Sequence, residues 1–159
     1  MKQTLLTLLM FSVLLTSCTV SKSSASFYPT TSRCISVNKD GSQTVMSWGS
    51  GTNFNKAIID AQKNALRDIL FEGIRTGDQE CLLKPLVSEV NAETQFQAYF
   101  TNFFKTKGDF KNFVKFDEPF LRPFVRKGLR SYTGLTTSVI VRVNLLDLKN
   151  ELMKNSIIK

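Results

Sequence analysis

The stretch Val45-Met46-Ser47-Trp48-Gly49-Ser50-Gly51-Thr52-Asn53-Phe54, continued by Ala57-Ile58-Ile59-Asp60-Ala61-Gln62-Lys63-Asn64-Ala65-Leu66, decides the fold. Its hydrophobic period changes across the two glycines. Before them, Val45 and Ser47 face one way and Met46 and Trp48 the other, the period of a strand. After them, Phe54, Ile58, Ala61, Ala65 and Ile69 recur at helical spacing. Thr52 or Asn53 supplies an N-cap, because a short polar side chain accepts from first-turn N–H groups that have no partner. The helix is expected to run to about Glu72, with Gly73 at the left-handed position beyond its end. Ala57, Ala61 and Ala65 form a stripe of small residues that lets the helix lie close to a sheet. Its expected partner is the hairpin that precedes it. Ile59, Leu66 and Leu70 widen the apolar surface, so the helix is covered on more than one side.

That hairpin follows from Lys39-Asp40-Gly41-Ser42. Asp-Gly between two alternating runs is a strong two-strand signal. The first run, Arg33 to Asn38, places Ile35 and Val37 on one side and Ser36 on the other. Downstream, residues 75–90 form a connector. Asn91 is then placed as the N-cap of a second helix carrying Phe96, Tyr99, Phe100, Phe103 and Phe104, ending near Lys105 before Gly108. Ser131 to Val143 is rich in β-branched residues and reads as a strand, with Phe120 to Arg130 as its candidate partner. Asn144, with Asp147 three residues on, resembles a capping box, and Leu145, Leu148, Leu152 and Met153 continue as a terminal helix. Hairpins and helices without regular βαβ alternation predict an α+β fold: an antiparallel sheet of the N-terminal hairpin and C-terminal strands, with two to three helices packed on it.

The chain has 159 residues, a net charge of +8, no histidine and three cysteines. Without histidine, Ser–His and Cys–His nucleophile pairs and His-ligated zinc are excluded. Three thiols are one short of an all-cysteine zinc site. No metal, cofactor or catalytic residue is expected, and the chain reads as a non-enzyme.

Its first residues are a short basic segment, Met1 to Thr4, and an apolar run from Leu5 to Leu15, the grammar of a secretory signal. A spanning helix needs about 20 apolar residues, so this run is too short for one. Leu15-Thr16-Ser17-Cys18 resembles a bacterial lipobox. The resemblance implies a diacylglycerol on the Cys18 thiol, cleavage by the lipoprotein signal peptidase before Cys18, and an N-acyl lipid on the new amino group. Two or three acyl chains anchor stably where one does not. The chain then divides into signal peptide 1–17, lipidated cysteine and Ser-rich tether 18–32, and a single domain 33–159. Loss of the signal removes Lys2 and no acid, leaving 20 basic and 13 acidic residues and a charge of +7. No Asp follows Cys18 directly, and the residues after it hold no acidic cluster resembling a surface-export signal. By resemblance to known sorting signals, the expected place is the outer membrane, lipid-anchored and facing the periplasm.

Cys34 and Cys81 remain. One disulfide fits an exported chain, and two buried free thiols are the alternative. Nine of thirteen phenylalanines lie between Phe96 and Phe124. Between Lys105 and Arg130 there are eight basic residues, Lys105, Lys107, Lys111, Lys115, Arg122, Arg126, Lys127 and Arg130, against Asp109, Asp117 and Glu118. Two readings stand. Either the rings are core with solvated charges around them, or the segment is a contact surface for anionic headgroups, an anionic envelope polymer or an acidic protein. Export argues against nucleic acid, and nothing points to a small-molecule substrate. Gly49-Ser50-Gly51 lacks a third glycine of the dinucleotide pattern and is assigned to a tight turn. Ser36-Val37-Asn38-Lys39 matches a serine–lysine motif only in spacing, without its companions.

The strand, glycine and Ala-striped helix of Val45 to Leu66, with the later Val139–Asp147 stretch, resemble the small α+β envelope domains of the LPP-twenty lipoprotein and flagellar assembly T-protein N-terminal type. The lipobox and general style resemble small lipoproteins of Bacteroidetes, some of them accessory parts of secretion machines. The resemblance covers about a third of the chain. It implies a structural, scaffolding or assembly role with other envelope proteins as partners, and transfers no catalytic residue.

Overall fold

The Asp40-Gly41 turn closes the first hairpin as its residues dictate. Gly41 takes φ 77°, and Asn38 N–H donates to the Ser42 carbonyl at 2.8 Å. The Asp40 carboxylate accepts from Ser42 Oγ at 2.6 Å and Ser42 N–H at 3.0 Å, which holds its pKa below the usual carboxylate value. The computed structural model describes residues 31–81, 83–116, 129–131 and 134–159. Among them are strands β1 (Arg33–Val37), β2 (Gln43–Gly51), β3 (Val114–Phe116), β4 (Leu129–Ser131) and β5 (Gly134–Val143). They form one antiparallel sheet in the order β1-β2-β5-β3, with β4 also paired to β5. Helices α1 (Phe54–Arg67), α2 (Ala92–Gln95), α3 (Gln97–Phe103) and α4 (Leu145–Lys154) complete an α+β fold.

Helix α1 starts where expected: Asn53 Oδ1 accepts from Lys56 N–H at 2.9 Å. Its alanine stripe lies on the sheet, with Ala57, Ala61 and Ala65 each 0% exposed. The stripe packs on β2 and β5 together and reaches β3, so its partner is wider than the hairpin. The two glycines have a different role from the expected turn. Strand β2 continues through Gly51, paired to Leu135. A Cβ on Gly49 would sit 2.2 Å from both the Ala57 carbonyl oxygen and the Ala61 nitrogen. Glycine is present because the helix backbone crosses the strand at contact distance.

Other boundaries moved for local reasons. Helix α1 does not run unchanged to Glu72. It widens at Asp68–Glu72 into a π-helical turn, closed by Gly73 N–H on the Asp68 carbonyl at 2.6 Å. The second helix is split at Phe96 (φ −105°, ψ 31°), and Asn91, at φ 63°, caps nothing with its side chain. Of the two pieces, α2 buries only Ala92, and α3 buries Phe100 and Phe103. The expected strand from Ser131 is two strands, with Ser131 paired to Gly134 across a hairpin. In β1 the register shifts between Cys34 and Ser36. Cys34 rather than the Ile35–Val37 pair is buried, and Val37 is 43% exposed. At α4, Asn144 Oδ1 accepts from Asp147 N–H at 3.2 Å. Asn144 N–H goes to the Phe113 carbonyl, so only half of a capping box forms. Met153, expected on the apolar side of α4, is 47% exposed, while Leu148 and Leu152 are fully buried.

The hydrogen-bonded fold includes one residue on the tether side of the expected boundary. Ser32, assigned to the tether, is 2% exposed, and its N–H donates to Asp68 Oδ2 at 2.6 Å. Burial pushes the Asp68 pKa above its ordinary value of 3.8. The Ser32 bond pulls it down, and the nearby Glu72 charge raises it. The folded chain thus holds this proton to higher pH than the unfolded chain. The contribution of Asp68 to stability falls as pH rises from the ordinary carboxylate value through its own raised value. Asp68→Asn keeps an acceptor for Ser32 N–H and removes the charge. Urea unfolding at a series of pH values is expected to show a stability loss over that window in the natural chain that the variant lacks. Asp68→Ala, leaving a buried donor unpaired, is expected to cost about 1–3 kcal/mol.

Candidate functional site

The phenylalanine cluster is core. Phe100, Phe103, Phe104, Phe110 and Phe113 are all buried, and Phe96 and Phe116 pack partly buried against them. Their rings meet edge to face and stacked: Phe103 on Phe104 at 5.0 Å and on Phe113 at 5.8 Å. Rings packed on one another in this way are turned mainly inward, so the described phenylalanines of this segment serve chiefly as core, and the charges remain as candidate contact groups.

The basic residues do not share one surface. Lys105, Lys107, Lys111 and Lys115 are exposed, but in different places. Lys115 stands opposite Arg142 in the β3–β5 ladder, while its neighbours Val114 and Phe116 stand opposite the core residues Val143 and Val141. Alternation therefore puts Lys115 on the sheet face away from α1. Lys105 lies on the other side, where its ammonium reaches Asn102 Oδ1 at 2.5 Å. Arg122, Arg126 and Lys127 lie outside the described residues, as does the side chain of Arg130.

Two cations outside the Phe-rich segment join Lys105. Lys63 Nζ lies 5.5 Å from the Phe110 ring centre, and Arg67 Cζ lies 5.0 Å from that of Phe104. They are one helical turn apart on α1, so both project from one face. A groove of about 510 Å³ opens beside them, lined by Arg67, Glu93, Gln97, Thr101, Phe104 and Lys105. Glu93 approaches Arg67 at 3.9 Å, with both side chains more than half exposed, an ion pair of little energetic weight. The spacing of Lys63 and Arg67 is visible in the sequence. That two rings from forty residues downstream lie beneath them is not.

Cys34 and Cys81 form a disulfide with Cα atoms 6.1 Å apart, both essentially unexposed. Leu15, Thr16, Ser17 and Cys18 lie outside the described residues, as do Asp117 and Glu118. The described residues contain no group of three or more His, Cys, Asp or Glu side chains placed to hold a metal ion. Tyr99 has a buried hydroxyl with no hydrogen-bond partner. Burial, with the charges of Glu151 and Asp109, pushes its pKa up to about 12, so it stays protonated at neutral pH. Ser36 lies in β1 and Lys39 in the exposed turn beyond it, with no geometry of a serine–lysine pair. No helix among the described residues is long and apolar enough to cross a membrane. The chain matches no family model, no curated protein and no solved structure.

Proposed function

We infer that the chain is a non-enzymatic lipoprotein, anchored in the outer membrane through Cys18 and facing the periplasm. Its domain has a structural, scaffolding or assembly role in an envelope or secretion complex. The observation that supports this is the division of the cysteines. One follows a lipobox-like Leu15-Thr16-Ser17, and the other two meet in a buried bridge, as suits an oxidising compartment. Cys18→Ala removes the only thiol at the lipid-attachment position. In cell fractionation it is expected to move most of the protein from the membrane to the soluble fraction. Continued membrane retention overturns the anchor.

The groove lined by Arg67 and Lys105, with Lys63 one helical turn from Arg67 on α1, favours a second reading, a binding module for an anionic envelope polymer or lipid headgroups. Exposed charges are screened within about 10 Å at 0.1 M salt. Binding of an anionic polymer is therefore expected to weaken at least tenfold at high salt, and in Lys63→Gln/Arg67→Gln by a similar factor. Salt-independent binding overturns this reading.

A further inference from the structure

Tension on a membrane tether enters a domain where the tether joins it, and here the expected junction, at Ser32–Arg33, leads into the edge strand β1. An edge strand pulled from its end opens one hydrogen-bond pair at a time. This chain has a second set of fastenings at that point. Ser32 N–H is held by the Asp68 carboxylate at 2.6 Å. Cys34 N–H donates to the Thr76 carbonyl at 2.9 Å, and the Cys34 carbonyl accepts from Asp78 N–H at 3.2 Å. These bonds make a parallel bridge between Cys34 and Gly77, so close that a Cβ on Gly77 would lie 2.0 Å from the Cys34 carbonyl oxygen. The Cys34–Cys81 disulfide adds a covalent link. The receiving loop is fixed in turn. Ile74 and Leu83 exchange bonds of 2.7 and 3.0 Å, and Leu86 and Val87 N–H groups donate to the Ile69 and Leu70 carbonyls.

The bridge spans 47 residues of chain. Within that loop lie most of β1, all of β2, all of α1 and the π-helical turn. That is the half of the core containing Val45, Ala61, Ala65, Leu66, Ile69 and Leu70. Because the shortest covalent path from Cys34 to Cys81 is the disulfide, force arriving from the N-terminal side leaves this loop unstretched.

We propose that the junction of Ser32, Cys34, Asp68, Gly77 and Cys81 is a mechanical latch. It carries tension from the tether straight to Cys81 and shields the β2–α1 half of the domain from being peeled open. The direction of pull rests on the anchored-lipoprotein reading; the shielding itself does not. A failed fractionation experiment removes the anchor and leaves the latch to be judged separately.

The test is single-molecule stretching of the chain from Thr19, which retains every described element, with handles on the Ser-rich tether and at Lys159. The oxidised chain is expected to show no release before its main rupture. Its full extension should be shorter than that of the reduced chain by roughly 160 Å, at about 3.3–3.6 Å per residue. The reduced chain is expected to yield first at a distinctly lower force, as β1 unzips from β2. Equal first-yield forces overturn the proposal. A second geometry needs no reduced protein: handles at Lys56, exposed near the middle of the disulfide loop, and at Lys159 load the oxidised loop from inside. That pull is expected to open the domain at lower force than the pull from the tether, and an equal or higher force overturns the latch.

Discussion

Cys34→Ala/Cys81→Ala is expected to lower the unfolding free energy by about 4 kcal/mol, the chain-entropy value for a loop of this length. The 47-residue span makes the unfolded chain much less restricted once the bridge is gone. The two deleted sulfur atoms are buried, so a small cavity cost adds to this in the variant and is absent from the reduced chain. A shift of roughly 15 °C in the melting midpoint is the corresponding thermal result for a domain of this size. Denaturant titration of the natural chain with and without reductant, beside the double alanine variant, checks it. The reduced chain and the variant should agree to within about 1 kcal/mol, and both should fall well below the oxidised chain. A difference of under 1 kcal/mol between oxidised and reduced chains contradicts the expectation.

Gly49→Val is expected to abolish the native fold, and Gly49→Ala to cost about 3 kcal/mol or more, at the upper end for an overpacked site. The obstacle is backbone. The added Cβ meets the Ala57 carbonyl oxygen and the Ala61 nitrogen at 2.2 Å and the Ala61 Cα at 2.8 Å. No rotamer change relieves such a contact; α1 must lift from the sheet, and with it Ala57, Ala61 and Ala65 lose their burial. Gly41→Ala is the control. There φ is 77° with open space around the Cβ, so only the left-handed backbone cost applies, about 1–2 kcal/mol. Circular dichroism melts of the three variants separate crowding from conformational strain. Equal losses at Gly49 and Gly41 contradict the close-packing account.

The strand–glycine–helix stretch was legible because each of its features is local. Alternation in β2, the Asn53 cap and the alanine stripe are set by neighbours within a few residues, and all three stand in the structure. Gly49 reads as part of a turn because glycines between a strand and a helix signal one in sequence. Its real reason is a helix backbone crossing the strand at Ala57 and Ala61, eight and twelve positions along the chain, a contact that only the packed fold creates. The second helix shows the opposite failure. Its amphipathic spacing predicts one continuous rod, but Phe96 leaves helical geometry at φ −105° and ψ 31° and divides it into α2 and α3; a change of dihedrals at one residue leaves no mark on a hydrophobic period.

The candidate site divides the same way. The sequence by itself determined the α+β class and the alanine face of α1. It also determined the lipobox-like Leu15-Thr16-Ser17-Cys18 and the existence of two cysteines left over, because periodicity and motif spacing are properties of the chain order. Tertiary structure alone decided that those cysteines meet, since their pairing depends on a Cα separation of 6.1 Å across 47 residues. It also sent the described phenylalanines from Phe100 to Phe113 to the core and put Lys105 and Lys115 on opposite sides of the sheet. Burial is a property of what folds over a residue, and charge density along a chain says nothing of which side of a strand each charge takes. Lys63 and Arg67, far from the basic run in sequence, came to lie on Phe110 and Phe104 because α1 and α3 pack on the same core.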